Sequence, residues 1–236
     1  MKTLILIFSF LISISIVNGQ DIVNSYDNHR ETRSDNLIKN YIKFDFSDLL
    51  LPKYGFLGFI DKDYKRAKIF FNSISKDLKN KDSYNVKGLS IIDNNMCDFE
   101  GTIKIEQVKE YINSHVWFDE LNKDSALKAR GYLIGHYVLL ENKGQKNTGT
   151  FQGVVKLYWY LDNFNRIHYD DLEGAADTYC NNQYLGTWKS YTTGLEIICN
   201  WGEYRIPNSG DLDIGTGEFA PNPKYYNNGW KDYENK

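Results

Sequence analysis

The sequence predicts an all-β protein, an antiparallel β-barrel or sandwich that can take the form of a calycin-like meander, with one short helical or irregular insertion. Three observations carry this prediction. Aromatic residues make up 15% of the 236 residues and there are only four prolines, a composition that favours strands and turns over helices. Apolar and polar residues alternate with a period of two in several segments. A large apolar residue also recurs two positions before a glycine, as in FEG at 99–101 and FQG at 151–153.

The alternation is clearest in residues 151–161. The odd positions there read Phe, Gly, Val, Leu, Trp and Leu, whereas the even positions are mostly polar or amphipathic. Residues 99–105 repeat the pattern. A period of two indicates half-buried strands with one wet face. Because each glycine shares a face with its aromatic residue, the strand can coil sharply while the ring covers the gap, as barrel closure requires.

At the start of the chain, residues 1–19 predict a secretory signal peptide. Lys2 supplies the positive charge, residues 4–17 form an apolar run interrupted only by serine, and Val17 and Gly19 fit the small-residue cleavage rule. We therefore expect a secreted or periplasmic protein that begins at Gln20. The run is shorter than the roughly 20 residues of a spanning helix, and no second long apolar run follows, so no membrane span is expected after cleavage.

Residues 20–45 are predicted to form a flexible polar N-terminal segment, because the stretch NSYDNHRETRSDN offers little apolar surface to bury. Residues 46–236 are predicted to form a single β-domain that ends in an aromatic tail. A domain of this length can bury a sizeable core.

Within this domain, further strands are predicted at residues 68–75, 84–92, 131–141 and 195–206, with turn signals such as LKNKDSYN, ENKGQKNTG and YTTG between them. Residues 107–128 interrupt the alternation. Five apolar residues in that interval could form one or two short helical turns, namely Val108, Tyr111, Ile112, Val116 and Leu121.

Charge argues against a nucleic-acid partner. The formal net charge is −3, with 28 Lys and Arg against 31 Asp and Glu. Basic residues are interleaved with acids, as in residues 62–68, whereas nucleic-acid-binding surfaces concentrate Lys and Arg.

Three cysteines follow the predicted signal peptide: Cys97, Cys180 and Cys199. In an oxidising compartment one disulfide and one free thiol are expected. A hairpin turn at residues 192–194 would place residue 186 opposite Cys199, so that Cys180 lies about six residues further along, beyond the roughly 7 Å that a disulfide allows between Cα atoms. The sequence therefore favours a Cys97–Cys199 bond.

Two stretches carry resemblances. Gly186-Thr187-Trp188 resembles the Gly-x-Trp of small ligand-binding barrels such as lipocalins and avidins, although those families carry it on the first strand. CNWGEYRIPNSGDLDIGTGEF, residues 199–219, resembles the C-terminal region of uncharacterised secreted bacterial β-rich proteins, and NNQYLGTWKSYTTG resembles the segment before it. The second resemblance implies a secreted β-domain and no particular chemistry.

Residues 210–219, GDLDIGTGEF, place the carboxylates of Asp211, Asp213 and Glu218 among three glycines. Calcium takes six to eight oxygen ligands, which acidic glycine-containing loops supply. Asp211 and Asp213 match the first two aspartates of a D-x-D-x-D-G calcium loop. However, Gly215 stands where the third aspartate belongs, and Asn222 stands at the twelfth residue of the loop, where a glutamate belongs. We predict a structured Gly/Asp turn and no cofactor, with calcium bound by the three carboxylates as the alternative.

The segment 195–205 has an apolar face that passes through Trp201 and ends in Glu203 and Arg205. The acid and the base are either a polar pair at a barrel mouth that binds a ligand, or a structural ion pair where the strand leaves the core. With Trp188, these residues form the predicted ligand-binding set. Glycoside hydrolysis needs two carboxyl groups about 5–9 Å apart, which the carboxylates of residues 203–218 could supply. No G-x-S-x-G, H-E-x-x-H or phosphate-loop motif occurs.

The aromatic tail, NPKYYNNGWKDY at 222–233, could stack on sugar rings or pack over the barrel, and packing is the preferred interpretation. Together the patterns predict a secreted, non-catalytic β-barrel domain that binds a small ligand, a glycan or a protein partner. The alternative is a carbohydrate-active hydrolase.

Overall fold

The computed structural model describes residues 30–113 and 127–233. These residues form nine strands: β1 Leu57–Ile60, β2 Lys65–Lys76, β3 Ser83–Ile92, β4 Asn95–Glu110, β5 Ala129–Glu141, β6 Gly149–Leu161, β7 Ile167–Tyr169, β8 Asn181–Ser190 and β9 Glu196–Glu203. Two short helices, α1 Ile38–Tyr41 and α2 Ser47–Leu50, precede the strands, and two short 3-10 helices, Pro223–Asn228 and Lys231–Tyr233, follow them. Among the described residues, no helix combines the length and apolar character needed to cross a membrane.

The strands form a closed antiparallel barrel, which confirms the predicted fold class. Eight strands follow one another around the wall in the order β1-β2-β3-β4-β5-β6-β8-β9, and β9 pairs with β1 to close it. The short β7 pairs with residues 159–161 of β6, beyond the residues that pair with β8. Most neighbours in the wall are also neighbours in sequence, as a meander requires.

The inward-facing residues follow the alternation read from the sequence. The odd positions of β6 and the corresponding positions of β4 lie in one core, which includes Phe99, Ile103, Ile105, Phe151, Val155, Leu157, Trp159 and Leu161. Gly88 pairs with Phe99 across β3 and β4, and a Cβ placed on Gly88 would lie 2.5 Å from the Phe99 ring. The ring therefore occupies the space that a side chain on the glycine would need.

The two ends of the barrel differ. The hairpin end carries the turns at residues 61–64, 93–94, 142–148 and 191–195. The helix end is covered by residues 37–56, which include α1 and α2. The Lys76 ammonium donates to the Ile42 carbonyl at 2.6 Å, and the Asn182 amide donates to the Leu50 carbonyl at 2.9 Å.

Residues 30–45 lie against the barrel, which differs from the flexible segment predicted for residues 20–45. Thr32 forms a β-bridge just beyond β4, and the Tyr41 ring packs 4.5 Å from the Trp159 ring. Apolar residues spaced among the charged ones supply this contact. The predicted signal peptide, residues 1–19, and the first ten residues of the predicted flexible segment, 20–29, lie outside the described residues.

The predicted insertion at residues 107–128 is shorter than expected. Its first residues continue β4, because a bulge between Ile105 and Gln107 shifts the register without ending the strand. The bulge also explains why the alternation is lost there. The part of the prediction that concerns residues 114–126 lies outside the described residues.

After β9 the chain folds back along the outside of the barrel and forms a second, smaller core. Its buried members are Phe59 of β1 together with Ile206, Leu212, Phe219, Tyr225 and Trp230. Trp230 is completely buried, and its indole N–H donates to the Tyr64 carbonyl at 2.6 Å. The aromatic tail therefore packs over the barrel wall.

The predicted Cys97–Cys199 disulfide is not formed. Cys97, Cys180 and Cys199, all within the described residues, are buried, and no disulfide joins any two of them. Cys97 lies on β4 and Cys199 on β9, and three strands separate these two around the wall. The spacing along the sequence disfavours Cys180 as the partner of Cys199, but it holds no information on the distance between β4 and β9.

Candidate ligand-binding groove

The barrel interior is filled with aromatic rings. Trp201 stacks on Tyr184 with ring centroids 4.9 Å apart and an interplanar angle of 12°, and the Tyr137 ring lies edge-on to both. All three rings are almost completely buried. The predicted binding residue Trp201 is thus a core residue here, inaccessible from solvent.

Glu203, a second predicted binding residue, is completely buried at the helix end. Its carboxylate accepts hydrogen bonds from the Tyr54 backbone N–H at 2.8 Å, the Tyr169 hydroxyl at 2.9 Å and the Asn182 amide at 3.4 Å. Burial raises the pKa of Glu203, and these hydrogen bonds offset part of that effect. Through Tyr54, Glu203 anchors the segment that covers this end, residues 37–56, to the barrel.

Arg205 does not pair with Glu203, because the backbone turns between them. Tyr204 has a φ of 65°, a left-handed conformation that breaks the strand alternation. Consequently the Arg205 guanidinium lies outside the barrel and donates to Asp213 at 2.5 Å. It also donates to the backbone carbonyls of Asp177, Gly215 and Gly217.

The loop at residues 210–219 is a structured turn organised by Asp213. One oxygen of Asp213 accepts from the Gly215 and Ala220 N–H groups at 3.0 and 3.2 Å, and the other binds Arg205. Asp211 accepts from the Tyr225 hydroxyl at 2.6 Å and from the Lys224 ammonium at 2.9 Å. These two donors lower the pKa of Asp211.

The two aspartates of the predicted calcium set therefore form ion pairs with Arg205 and Lys224. The exposed Glu218 lines a groove on the outside of the barrel. Within residues 30–113 and 127–233, no three His, Cys, Asp or Glu side chains are grouped so that they could hold a metal ion. Calcium binding by Asp211, Asp213 and Glu218 stays the alternative to a purely structural turn.

The groove, which we call the outer groove, lies on the outside of the barrel between β1, β2, the loop 174–179 and the C-terminal segment. Its volume is about 890 Å³. Tyr54 and Phe70 line it with 61% and 45% of their surface exposed. The Tyr204 ring packs edge-on against Tyr54 with centroids 5.2 Å apart, and Tyr233 lines the same groove.

Charged groups in the outer groove balance one another. Arg66, Lys68 and Arg205 line it together with Asp177, Glu218 and Asp232. The Arg66 guanidinium lies over the Trp230 and Tyr233 rings, 5.3 and 5.7 Å from their centroids, and burial lowers its pKa. The groove thus combines exposed aromatic surface with polar groups of both signs.

Trp188, the remaining predicted binding residue, lies at the hairpin end and not in the outer groove. It lines a cavity of about 250 Å³, the hairpin-end cavity. Its indole N–H donates to the Glu141 carboxylate at 2.9 Å, and the Gly149 N–H donates to the same oxygen at 2.7 Å. A Cβ on Gly149 would lie 2.6 Å from the Trp188 ring, so this glycine allows the indole to approach.

The structure therefore separates the four predicted binding residues. Trp201 and Glu203 are buried, Arg205 lines the outer groove and Trp188 lines the hairpin-end cavity. Tyr54 and Phe70 were not among the binding residues predicted from the sequence. For Phe70 there was a signal, because adjacent phenylalanines at 70 and 71 in an alternating strand require one ring to face outward.

The fold and this site define an eight-stranded antiparallel barrel with an aromatic-lined groove on its outer wall. No protein-family model matches the sequence, and no curated protein and no solved structure is significantly similar to it.

Proposed function

We propose that this chain is a secreted, non-catalytic β-barrel protein that binds a neutral glycan in the outer groove. The supporting observation is the exposure of Tyr54 and Phe70 in a groove of about 890 Å³ on the outside of a filled barrel. Aromatic faces provide large amphipathic contact surfaces, which suit C–H-rich sugar rings. The volume is within the roughly 300–1,000 Å³ typical of ligand sites.

The charges support a neutral ligand. Three cationic and three anionic side chains line the outer groove, so it carries no excess charge to attract a polyanion or a polycation. Arg66 and Arg205 are already held by rings, carbonyls and Asp213. The remaining polar groups can exchange hydrogen bonds with sugar hydroxyls.

The filled interior supports an external site. Tyr137, Tyr184 and Trp201 occupy the centre of the barrel, where barrels of similar strand number hold an internal ligand. The proposed secretion rests on the signal-peptide pattern of residues 1–19. N-terminal sequencing of exported protein is expected to begin at Gln20, and a sequence beginning at Met1 would contradict cleavage.

Binding is tested with purified protein and neutral hexasaccharides of glucose, mannose, xylose and N-acetylglucosamine, titrated by calorimetry. We expect at least one to bind, and we expect Tyr54→Ala and Phe70→Ala each to weaken it at least tenfold. Phe164→Ala is the matched control, because Phe164 is 79% exposed but lies at the turn between β6 and β7. Absence of binding by all four, or an equal effect of Phe164→Ala, would contradict the proposal.

The same experiment addresses the hydrolase alternative. Chain length of the bound hexasaccharide is followed by mass spectrometry after prolonged incubation. Unchanged length is expected for a binding protein. Cleavage that is lost in Glu218→Gln, which alters one of the exposed carboxylates of the outer groove, would instead support hydrolysis by the carboxylates of residues 203–218.

A further inference from the structure

The hairpin-end cavity contains a buried carboxylate that lacks a cationic partner. Glu141 is only 4% exposed and lines the cavity. It accepts hydrogen bonds from the Ser90 hydroxyl, the Gly149 N–H and the Trp188 indole. Within the described part of the chain no Lys, Arg or His forms an ion pair with it, and the Lys65 ammonium, which lines the same cavity, binds Asp93 at 2.6 Å.

Such a group requires an explanation, since buried charges in proteins are normally paired. Three donors solvate the Glu141 carboxylate partly, and burial still raises its pKa. A carboxylate has about four acceptor positions, and the described residues fill three of them. One acceptor position is therefore available to a donor from outside the chain.

The cavity wall indicates what that donor would be attached to. Ile60, Ile92, Ile197 and the Trp188 ring provide apolar surface, and Asp61 and Asp93 add carboxylates near the opening. With Glu141 there are three acidic side chains in the lining against one lysine. An excess of negative charge around an apolar cavity favours a cation with an apolar body.

We propose that the hairpin-end cavity binds a small organic cation, whose ammonium group pairs with the Glu141 carboxylate and whose apolar body packs against the isoleucines. The volume of about 250 Å³ lies just below the range of sites for drug-sized ligands, so the ligand is smaller than a drug molecule. This site is separate from the outer groove and its lining residues differ.

The test uses benzylammonium as the probe, with benzyl alcohol and benzoate as neutral and anionic analogues of matched shape. Binding is followed by NMR at the indole N–H of Trp188, which donates to Glu141 and whose signal is assigned with Trp188→Phe. Benzylammonium is expected to shift this signal saturably. Benzyl alcohol is expected to bind at least tenfold more weakly, and benzoate is expected not to bind.

Two variants test the role of the charge and of the cavity. Glu141→Gln is expected to reduce the affinity for benzylammonium to that for benzyl alcohol. Because this change could disturb folding, Ile197→Lys provides a second route, since its own ammonium would occupy the cavity. Ile198→Lys is the matched control, as Ile198 is the next residue of β9 and faces outward with 42% exposure.

Three results would overturn the proposal: no saturable shift with benzylammonium up to its solubility limit, equal affinity for benzylammonium and benzyl alcohol, or equal loss of binding in Ile197→Lys and Ile198→Lys. The outcome is independent of glycan binding, because hexasaccharides bound in the outer groove are not expected to move the Trp188 signal.

Discussion

At the scale of single residues, the barrel core contains polar atoms without hydrogen-bond partners among the described residues. The Tyr137 and Tyr184 hydroxyls and the Trp159 and Trp201 indole N–H groups belong to this set. The Tyr169 hydroxyl, in contrast, donates to Glu203 at 2.9 Å. Tyr184 and Tyr169 thus both lie near Glu203, but only the Tyr169 hydroxyl is hydrogen-bonded.

Removal of the Tyr184 hydroxyl and removal of the Tyr169 hydroxyl are expected to change the free energy of unfolding in different ways. Tyr184→Phe should leave the free energy of unfolding unchanged or raise it by about 1 kcal/mol, because an unsatisfied buried group is removed. Tyr169→Phe should lower it by about 1–3 kcal/mol, because a buried carboxylate loses a donor. Urea denaturation of both variants measures the difference, and equal losses in the two would contradict the structural assignment.

The pH dependence of stability provides a second prediction. Because burial raises the pKa of Glu203 above its usual 4.5, the folded protein holds this proton more tightly than the unfolded chain. Stability attributable to Glu203 is therefore lost as the pH rises from about 4.5 through the higher folded pKa. Glu203→Gln should remove this contribution to the pH dependence. The free energy of unfolding of the variant, relative to that of the wild type, should therefore increase with pH.

Denaturation at a series of pH values measures the Glu203 effect. Glu100→Gln, on the exposed outer face of β4, removes one negative charge without burial and is the control. A Glu203→Gln profile that parallels the wild type would show that the carboxyl is not destabilised by burial.

At the scale of elements, the period of the long strands and several hairpin turns were readable from the sequence, whereas the short β1 and the bend after β9 were not. The odd positions of residues 151–161 could be assigned to the inward face because side chains alternate along a strand with a period of two. The predicted wet face was wrong for this strand, since Val154, Lys156 and Tyr158 on its other face are buried as well. The four-residue β1 is too short to show a period, and the φ of Tyr204 leaves no mark in the residue pattern. Arg205 was therefore placed on the wrong side of the wall.

The C-terminal tail offers a test of its role as a cover. Trp230→Ala should lower the free energy of unfolding by about 3–5 kcal/mol, since the ring is completely buried against Phe219 and Tyr233. Lys231→Ala, at the exposed neighbouring position, should change it by less than about 0.5 kcal/mol. Urea midpoints measure both, and an unchanged midpoint for Trp230→Ala would exclude the cover role.

The loop at residues 210–219 is expected to owe its order to Arg205 and not to a metal ion. Unfolding midpoints in calcium and in EDTA should agree, whereas a site filled to 100 times its Kd would add about 2.7 kcal/mol. Asp213→Ala should lower the midpoint equally in both, because it removes the Arg205 ion pair and two backbone hydrogen bonds. A calcium-dependent shift abolished by Asp213→Ala would establish the metal site.

At the scale of the whole molecule, the barrel could be predicted and the outer groove could not. Recurrent alternation with turn signals implies a closed or stacked antiparallel sheet wherever the strands lie. The groove, however, is formed by residues near 54–70, 174–179, 204–219 and 233, segments that only the closed wall brings together. The same limit explains the disulfide error, since β4 and β9 are separated by the course of the meander.

The arrangement of the thiols gives a prediction for the molecule as a whole. Because no disulfide joins Cys97, Cys180 and Cys199 in the described residues, a reductant should leave the unfolding midpoint unchanged. Alkylation of protein unfolded without reductant should label all three cysteines by mass spectrometry. Labelling of a single cysteine, or a midpoint lowered by reductant, would indicate a disulfide.

The seam between β1 and β9 has a consequence for how the chain acquires its structure. Leu57 pairs with Gly202 and Ile60 with Cys199. The pairing that closes the wall therefore joins two strands that are far apart in the sequence. Topologies dominated by such distant pairings fold slowly, in milliseconds to seconds. During synthesis, β1 and β8 each keep one unpaired edge until β9, which ends at residue 203, has left the ribosome. Closure of the wall therefore depends on β9, and a chain that ends before residue 196 would leave both β1 and β8 with an unpaired edge.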